Sequence, residues 1–297
     1  MLLNDIFKND IFKFENLFLA FSFFALGAII GSFLNVVIHR LPLDESIVFP
    51  SSHCPHCHHQ IRFYDNVPIL SWLILRGRCR QCQAPINIRY PSVELLTAIL
   101  FAVFFWHNGL DLLLPFNLLF GAAMICLIFI DAEHYYLPNV INYPGLLIAF
   151  VARFSLPFWF SQAPFDDLNF APLNHITSFL WLDSILGAVL GAIAGGGFLW
   201  LVGWLWKQLR SVEAMGLGDV KMMLMVGAFL GWRLTLLSIF LAALVGAAAG
   251  LILMWQDRER NLSSKIPFGI FLGAGSIISL LCGTDLINWY LKTFIPN

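Results

Sequence analysis

Long apolar segments separated by short polar connections run through the whole chain. Three of them carry no charged residue and have about the 20 residues that cross the hydrocarbon core of a bilayer; they are 112–130, 185–206 and 234–255. Segments 17–38, 140–160 and 266–290 are nearly as apolar, and two shorter candidates are 93–106 and 220–232. The pattern predicts an all-α polytopic membrane protein with about eight transmembrane helices.

The composition agrees with a protein that lies mostly in lipid. Of the 297 residues, 59% are hydrophobic and only 12% are charged, and the mean hydropathy is +0.78. Soluble domains carry about a quarter charged residues, so a soluble monomer is excluded. The formal net charge of −1 also argues against a nucleic-acid-binding protein, which needs a basic surface.

Positive charges are distributed unevenly between the two sets of connections that eight spans would create. One set contains twelve Lys or Arg residues, counting Lys221 at its edge, whereas the other contains only Arg233. Because Lys and Arg are enriched in cytoplasmic connections, we predict that the first set is cytoplasmic and that both termini lie on the opposite side. The cytoplasmic set comprises 39–92, 131–139, 207–219 and 256–265.

Paired cysteines occur in the only sizeable connection, 39–92. Two Cys-x-x-Cys pairs are separated by 21 residues, which is close to the spacing of zinc ribbons. Each pair forms a turn that directs two thiolates to one point, and four thiolates favour zinc over hard cations. Because four cysteines leave no open coordination position, we predict a structural zinc site with the ligands Cys54, Cys57, Cys79 and Cys82. Cys126 and Cys282 lie in apolar segments and are predicted to be packing residues.

Two aspartates lie at the predicted cytoplasmic ends of different spans. Asp131 ends an apolar run, and Asp219 begins another next to Gly216 and Gly218. Ionisable residues in membrane spans are candidates for function, and two close carboxyl groups share one proton. Such a pair can hydrolyse a peptide bond, because the ionised carboxyl activates water while the protonated one donates to the carbonyl oxygen. The glycines would let a peptide backbone approach Asp219, and Lys221 is predicted to support the site.

The helix dipole suggests how the two carboxyl groups divide these roles. Asp219 begins a helix, where the dipole stabilises an anion, whereas Asp131 ends one, where it does not. We therefore expect Asp219 to be the base and Asp131 to be the acid. Two other classes of protein are compatible with these residues. One is a transporter with a zinc-binding regulatory loop, in which the aspartates relay protons; the other is a membrane anchor or scaffold without chemistry.

Several short blocks follow one another along the chain: Gly31–Pro42, the two cysteine pairs, Arg89–Thr97, Asp131 with Leu137 and Pro138, Glu213–Lys221 and Ile266–Gly269. In this order they resemble the type IV prepilin peptidases, which are bacterial inner-membrane aspartic proteases of the GxGD kind. The resemblance covers about residues 27 to 275. One departure is Asn139, because an aspartate often follows the proline in this family.

The resemblance implies that Asp131 and Asp219 are catalytic. It implies removal of the basic leader peptide from type IV prepilins and type II secretion pseudopilins at the cytoplasmic face of the bacterial inner membrane. It also implies methylation of the new N-terminal residue with S-adenosylmethionine. The corresponding parts of the chain would be 1–38, a tail and first span; 39–92, the zinc-binding and methyltransferase loop; and 93–297, the transmembrane peptidase domain. The sequence leaves the oligomeric state open.

Overall fold

The structure, a computed structural model, describes residues 14–158, 180–211, 215–256 and 267–294. Within these ranges the regular structure is helical apart from two isolated β-bridges, so the predicted all-α fold is confirmed. The helices are α1 (Phe14–Arg40), α2 (Leu70–Ile74), α3 (Arg89–Asn108), α4 (Leu114–His134), α5 (Asn139–Ser155), α6 (Leu180–Ala192), α7 (Phe198–Arg210), α8 (Leu217–Leu230), α9 (Trp232–Gln256) and α10 (Phe268–Phe294).

Helices lie at all eight predicted spans. Within the described ranges, six helical stretches are long and apolar enough to cross a membrane. One of them is Trp181–Arg210, because the π-helical turn Ile193–Gly197 joins α6 to α7. The two shorter helices are α5, with 17 residues, and α8, with 14. The multi-pass membrane architecture is confirmed, while the total of eight spans and their orientation stay predictions.

Parts of the predicted connections lie outside the described residues. These parts are most of 161–184, residues 212–214 with Glu213, and residues 257–266 with Arg258, Arg260 and Lys265; the first 13 residues, in the N-terminal tail, also lie outside. The charge asymmetry between the two sets of connections is therefore known here from the sequence alone.

The chain divides into two compact units, residues 1–126 and 127–297. In the first unit, α1 packs against α3 through glycines. A Cβ atom at Gly27 would lie 2.7 Å from Cα of Ala98, and one at Gly31 would lie 2.7 Å from Cα of Glu94. Small residues allow helix backbones to approach this closely in lipid, so the glycines define the helix pair that flanks the cysteine loop.

In the second unit, α8 packs against the stretch formed by α6 and α7. A Cβ atom at Gly191 would collide with the carbonyl oxygen of Gly227, and one at Gly227 would collide with that of Gly191. Gly195, in the π-helical turn, faces the carbonyl oxygen of Met223 in the same way. These glycine contacts position α8, the helix that carries Asp219.

The C-terminal end of α8 is held by Arg153 of α5. This side chain is only 1% exposed and donates hydrogen bonds to the carbonyl oxygens of Ala228 (3.3 Å) and Phe229 (3.0 Å). The last four carbonyl groups of a helix have no donor within that helix, and the guanidinium group satisfies two of them. This contact explains the charge that interrupts the apolar segment 140–160.

Candidate functional site

Asp131 and Asp219 line the same cavity in the second unit, although α4 and α8 carry them far apart in the sequence. The cavity has a volume of about 190 Å³. Its lining residues are Asp131, Tyr135, Tyr136, Leu137, Asn139, Gly216, Gly218, Asp219 and Lys221. The structure thus brings together both aspartates and the three residues that were expected to support them.

Asp131 lies in the last turn of α4 and is 6% exposed. The first turn of α10 covers it, and the backbone N–H groups of Gly269 and Ile270 interact with its carboxyl group. A Cβ atom at Gly269 would lie 2.7 Å from Oδ2 of Asp131, so a larger residue would displace the carboxyl group. This Oδ2 atom is buried and has no hydrogen-bond partner within the described part of the chain.

Asp219 lies in the first turn of α8 and is half-buried. The helix begins after Gly216, whose backbone is extended, and the N–H of Asp219 donates to the Gly216 carbonyl oxygen at 3.2 Å. The partial positive charge of a helix N-terminus favours an anion here. Asp131, however, faces the N-terminus of another helix, α10. A helix N-terminus therefore lies beside each aspartate, and the helix dipoles do not separate the two carboxyl groups.

The two glycines before Asp219 have different surroundings. A Cβ atom at Gly216 would lie 3.6 Å from Oδ2 of Asp219, an ordinary contact, and Gly216 is exposed. A Cβ atom at Gly218 would lie only 3.0 Å from Cβ of Leu137. Gly216 therefore leaves open space beside Asp219, whereas Gly218 allows α8 to pack closely against the residues that follow α4.

Lys221 has a neutral hydrogen-bond partner. Its Nζ atom donates to Oδ1 of Asn139 at 3.0 Å and lies 5.6 Å from the centre of the Tyr143 ring. An amide does not neutralise an ammonium group, so Lys221 keeps its positive charge at the wall of the cavity. A nearby cation favours the ionised form of a carboxyl group.

Sequence reasoning assigned no role in the site to Tyr135, Tyr136, Leu137 or Gly269. The first three belong to the turn that leaves α4, where Tyr135 has a φ angle of +52°. Two local signals were present. Leu137 precedes a proline, and Gly269 follows Pro267 at the start of a helix. What these residues contact could not be read from either signal.

The four predicted zinc ligands come together in the first unit. Their Sγ atoms all lie within 4.8 Å of one another, and those of Cys54 and Cys82 are 3.8 Å apart. In a tetrahedral site with Zn–S bonds of about 2.3 Å, the sulfur atoms are about 3.8 Å apart. The donor set therefore fits a zinc ion. Of the other cysteines, Cys126 is buried as expected, whereas Cys282 is exposed on the outward side of α10.

The two cysteine turns have the same backbone conformation. The N–H of His58 donates to the carbonyl oxygen of Cys54 at 2.9 Å, and the N–H of Gln83 donates to that of Cys79 at 3.0 Å. His58 and Gln83 have φ angles of +54° and +58°, in the left-handed region that glycine prefers. The fold thus imposes the same strained turn on two unrelated residue types.

The two thiols of the second cysteine turn have different surroundings. A hydrogen bond from the Ala84 N–H lowers the pKa of Cys82, but burial and the neighbouring thiols outweigh it and raise that pKa to about 12. Hydrogen bonds from the backbone N–H groups of Cys82 and Gln81 lower the pKa of the Cys79 thiol to about 7. Metal ligands must be deprotonated, so the shift at Cys79 assists zinc binding.

Arg80, within the second cysteine turn, forms a bidentate ion pair with Asp65. The shortest N–O distance is 2.6 Å, and the hydrogen bonds from Arg80 lower the pKa of Asp65.

These features define a polytopic membrane protein with a pair of carboxyl groups in one cavity and a separate cysteine cluster. The chain belongs to the type IV leader peptidase family. The model of that family matches residues 118–251, and the model described as the bacterial peptidase A24 N-terminal domain matches residues 25–108. The family predicted from the sequence is therefore confirmed.

Three relatives illustrate the similarity, and each is named prepilin leader peptidase/N-methyltransferase. The Pseudomonas aeruginosa protein is 36% identical over 90% of this chain and 91% of its own length. The Aeromonas hydrophila protein is 38% identical over 92% of this chain and 93% of its own length. A Burkholderia pseudomallei protein is 37% identical over 87% of this chain and 84% of its own length. No solved structure matches the chain. These names agree with the predicted enzyme class, a peptidase with methyltransferase activity.

Proposed function

We propose that this protein removes the leader peptide from type IV prepilins and from type II secretion pseudopilins by means of Asp131 and Asp219. The observation that carries the proposal is that both carboxyl groups line one cavity in a member of a leader peptidase family. A prepilin presents a basic leader followed by an apolar helix. That helix can stay in the bilayer while the bond to be cut reaches the helix ends that carry the aspartates. We place this site at the cytoplasmic face of the bacterial inner membrane, because the connections on that side carry most of the Lys and Arg residues.

Hydrolysis needs one ionised and one protonated carboxyl group. Two carboxyl groups in one small cavity cannot both ionise cheaply, so they share a proton. We place this proton on Asp131, whose buried Oδ2 has no hydrogen-bond partner among the described residues. We place the negative charge on Asp219, in the cavity that the Lys221 ammonium group also lines.

The reaction then follows from these protonation states. Asp219 accepts a proton from water while the water oxygen attacks the carbonyl carbon, and Asp131 donates its proton to the carbonyl oxygen. The tetrahedral intermediate collapses when the C–N bond breaks and the leaving amine takes up the proton held by Asp219. The original protonation state returns when Asp131 recovers its proton from the intermediate.

The open side of the cavity would admit the substrate backbone. Gly216 is exposed, and its missing side chain leaves space beside Oδ2 of Asp219. Tyr135 and Tyr136 are exposed at the rim of the same cavity. We propose that an extended substrate segment passes Gly216 with its carbonyl group directed at the two aspartates.

Two further roles belong to the first unit in this proposal. Cys54, Cys57, Cys79 and Cys82 would hold a structural zinc ion that keeps the loop between α1 and α3 folded. Methyl transfer from S-adenosylmethionine to the new N-terminal amine is the second activity, proposed from the names of the relatives. We assign it to the unit that matches the N-terminal domain of the family.

The test is incubation of the purified protein with prepilin and S-adenosylmethionine, followed by mass spectrometry of the product N-terminus. The wild-type protein should yield a shortened pilin that carries one added methyl group. Asp131→Asn and Asp219→Asn should each slow cleavage by on the order of a thousandfold or more. Asp285→Asn, which changes an exposed aspartate of α10, is the matched control and should cleave normally.

The outcomes separate the parts of the proposal. Cleavage at the wild-type rate by either active-site variant would refute the aspartate mechanism. A shortened but unmethylated product would leave the peptidase assignment intact and refute the methyltransferase assignment.

A further inference from the structure

The short helix α2 begins beside the second turn of α3. The N–H of Ile69, the residue before α2, donates a hydrogen bond to Oε2 of Glu94 at 2.7 Å. Glu94 lies five residues beyond Arg89, where α3 begins, which is about 7.5 Å along the helix axis. Since α3 is long and apolar enough to cross the membrane and Glu94 is the second residue of its apolar segment 93–106, α2 starts level with the end of that predicted span.

The outward face of α2 is apolar. Leu70 and Leu73 are each 57% exposed and Ile74 is 74% exposed, at positions that share one face of a helix. The opposite face carries Ser71, which is buried, and Trp72, which is half-buried. Contiguous exposed apolar residues mark surfaces that bind a partner or a membrane.

Unpaired cations directly follow this apolar face. Arg76 and Arg78 are both exposed, and no carboxylate within the described residues pairs with either of them. Arg80, the next arginine, differs because Asp65 neutralises it. An exposed apolar face with adjoining free cations is typical of segments that lie in the interface of a bilayer containing anionic lipids.

We propose that Leu70, Leu73, Ile74, Arg76 and Arg78 form a membrane-docking surface that binds the headgroup region of anionic phospholipids. The three apolar side chains enter the boundary between headgroups and acyl chains, and the two guanidinium groups bind phosphate. The bilayer is favoured as the occupant because the bond between Ile69 and Glu94 sets the depth of α2. The positive charge of the arginines also complements anionic headgroups.

Docking holds the cysteine loop against the bilayer surface. On the proposed function, the new N-terminus of a processed pilin emerges at that surface, so docking would present the methyltransferase unit to it. The docking surface itself does not depend on that function.

The test uses the full-length protein in lipid nanodiscs of phosphatidylcholine with and without phosphatidylglycerol. Hydrogen exchange of the backbone amides of residues 69–78 is measured by mass spectrometry. Exchange should be slower by on the order of tenfold when the anionic lipid is present. Leu73→Asn/Ile74→Asn should abolish this protection, and Arg76→Gln/Arg78→Gln should abolish its dependence on anionic lipid. Asp65→Asn/Arg80→Gln is the matched control, because it removes an ion pair without changing the net charge. It should keep both the protection and its dependence on anionic lipid.

The proposal would be overturned if residues 69–78 of Leu73→Asn/Ile74→Asn exchange as slowly as those of the wild type in nanodiscs that contain phosphatidylglycerol. Protection that needs added prepilin instead of anionic lipid would also overturn it, since the surface would then bind protein. Zinc content identifies variants with a folded loop. If Leu73→Asn/Ile74→Asn loses zinc, the proposal stands or falls on Arg76→Gln/Arg78→Gln, in which exchange that still slows with anionic lipid would overturn it. Prepilin cleavage is measured in parallel, so that lost docking with normal cleavage leaves the peptidase proposal standing.

Discussion

Lys221 donates a hydrogen bond from Nζ to Oδ1 of Asn139 at 3.0 Å, on the wall of the cavity that both aspartates line. The ammonium group thus keeps a positive charge in a cavity whose two carboxyl groups are proposed to carry one negative charge. In Lys221→Met this favourable charge is lost, and a carboxyl group needs a higher pH to ionise. Because Lys221 lines the cavity without forming an ion pair with either aspartate in the described structure, we expect the acidic limb of the pH–rate profile for prepilin cleavage to move to higher pH by only about half a unit.

Two further variants test whether charge causes this shift. Lys221→Arg should keep the wild-type profile. Asn139→Asp should move the acidic limb in the same direction as Lys221→Met but by less, because the added carboxylate pairs with an ammonium group that is still present. An unchanged limb in Lys221→Met, with normal thermal stability, would refute the electrostatic role of Lys221.

Removal of the first cysteine pair should remove the metal. Cys54→Ser/Cys57→Ser leaves two thiolates of the four that lie within 4.8 Å of one another, and a tetrahedral zinc site needs four ligands. Elemental analysis of the purified variant should show the loss of about one equivalent of zinc. Cys282→Ser, which changes an exposed cysteine outside the cluster, should keep it. Unchanged zinc content in the double variant would eliminate the ribbon site.

The strained residues of the cysteine turns should tolerate glycine. His58 and Gln83 have φ angles of +54° and +58°, a conformation that costs an ordinary residue about 1–2 kcal/mol. Glycine avoids this cost but loses about 0.5–1 kcal/mol through greater freedom in the unfolded chain. We expect His58→Gly and Gln83→Gly each to stabilise the loop by about 0.5–1 kcal/mol, measured as slower zinc loss to a chelator. His58→Val should accelerate the loss, and faster loss in both glycine variants would contradict the strain argument.

The glycine contact between α6 and α8 should be essential for positioning Asp219. In Gly227→Ala the new methyl group collides with the carbonyl oxygen of Gly191, a backbone atom that can move only with its helix. We expect a loss of at least about 2 kcal/mol in stability, together with slower prepilin cleavage. In Gly197→Ala the methyl group meets only Ile193, at 3.4 Å. This control should lose no stability, because alanine in a helix avoids the entropic cost of glycine, and an equal loss in both variants would contradict the packing role.

The helices and the cysteine turns could be predicted because their determinants are local. An apolar segment satisfies its backbone hydrogen bonds within its own helix when it lies in lipid, so each of the eight segments predicted its helix without knowledge of its neighbours. The lengths of the helices did not follow as closely from the pattern, because α5 and α8 are shorter than the other spans. Tertiary contacts enclose α8, namely the glycine contacts and the hydrogen bonds from Arg153. A charged residue in an apolar segment indicates that it has a partner, but not which one.

The cavity around the aspartates depended on contacts that are remote in sequence. Asp131 was recognised because an apolar run ends there, and Asp219 because glycines precede it. The N-terminus of α10, which covers Asp131, and the approach of Gly269 to its Oδ2 depend on how helices pack. For this reason the division of roles inferred from α4 and α8 alone was incomplete.

The sequence by itself determined the membrane location of this protein, the positions of its helices, its four clustered thiols and its family. Hydrophobic length, the spacing of cysteines and short motifs are all properties of consecutive residues. Only the tertiary structure decided which side chains share the cavity, that Lys221 has a neutral partner, and that α2 lies beside the second turn of α3. Those relationships join residues as far apart as Asn139 and Lys221, and the interhelical packing that creates them depends on shape complementarity between surfaces rather than on any local pattern.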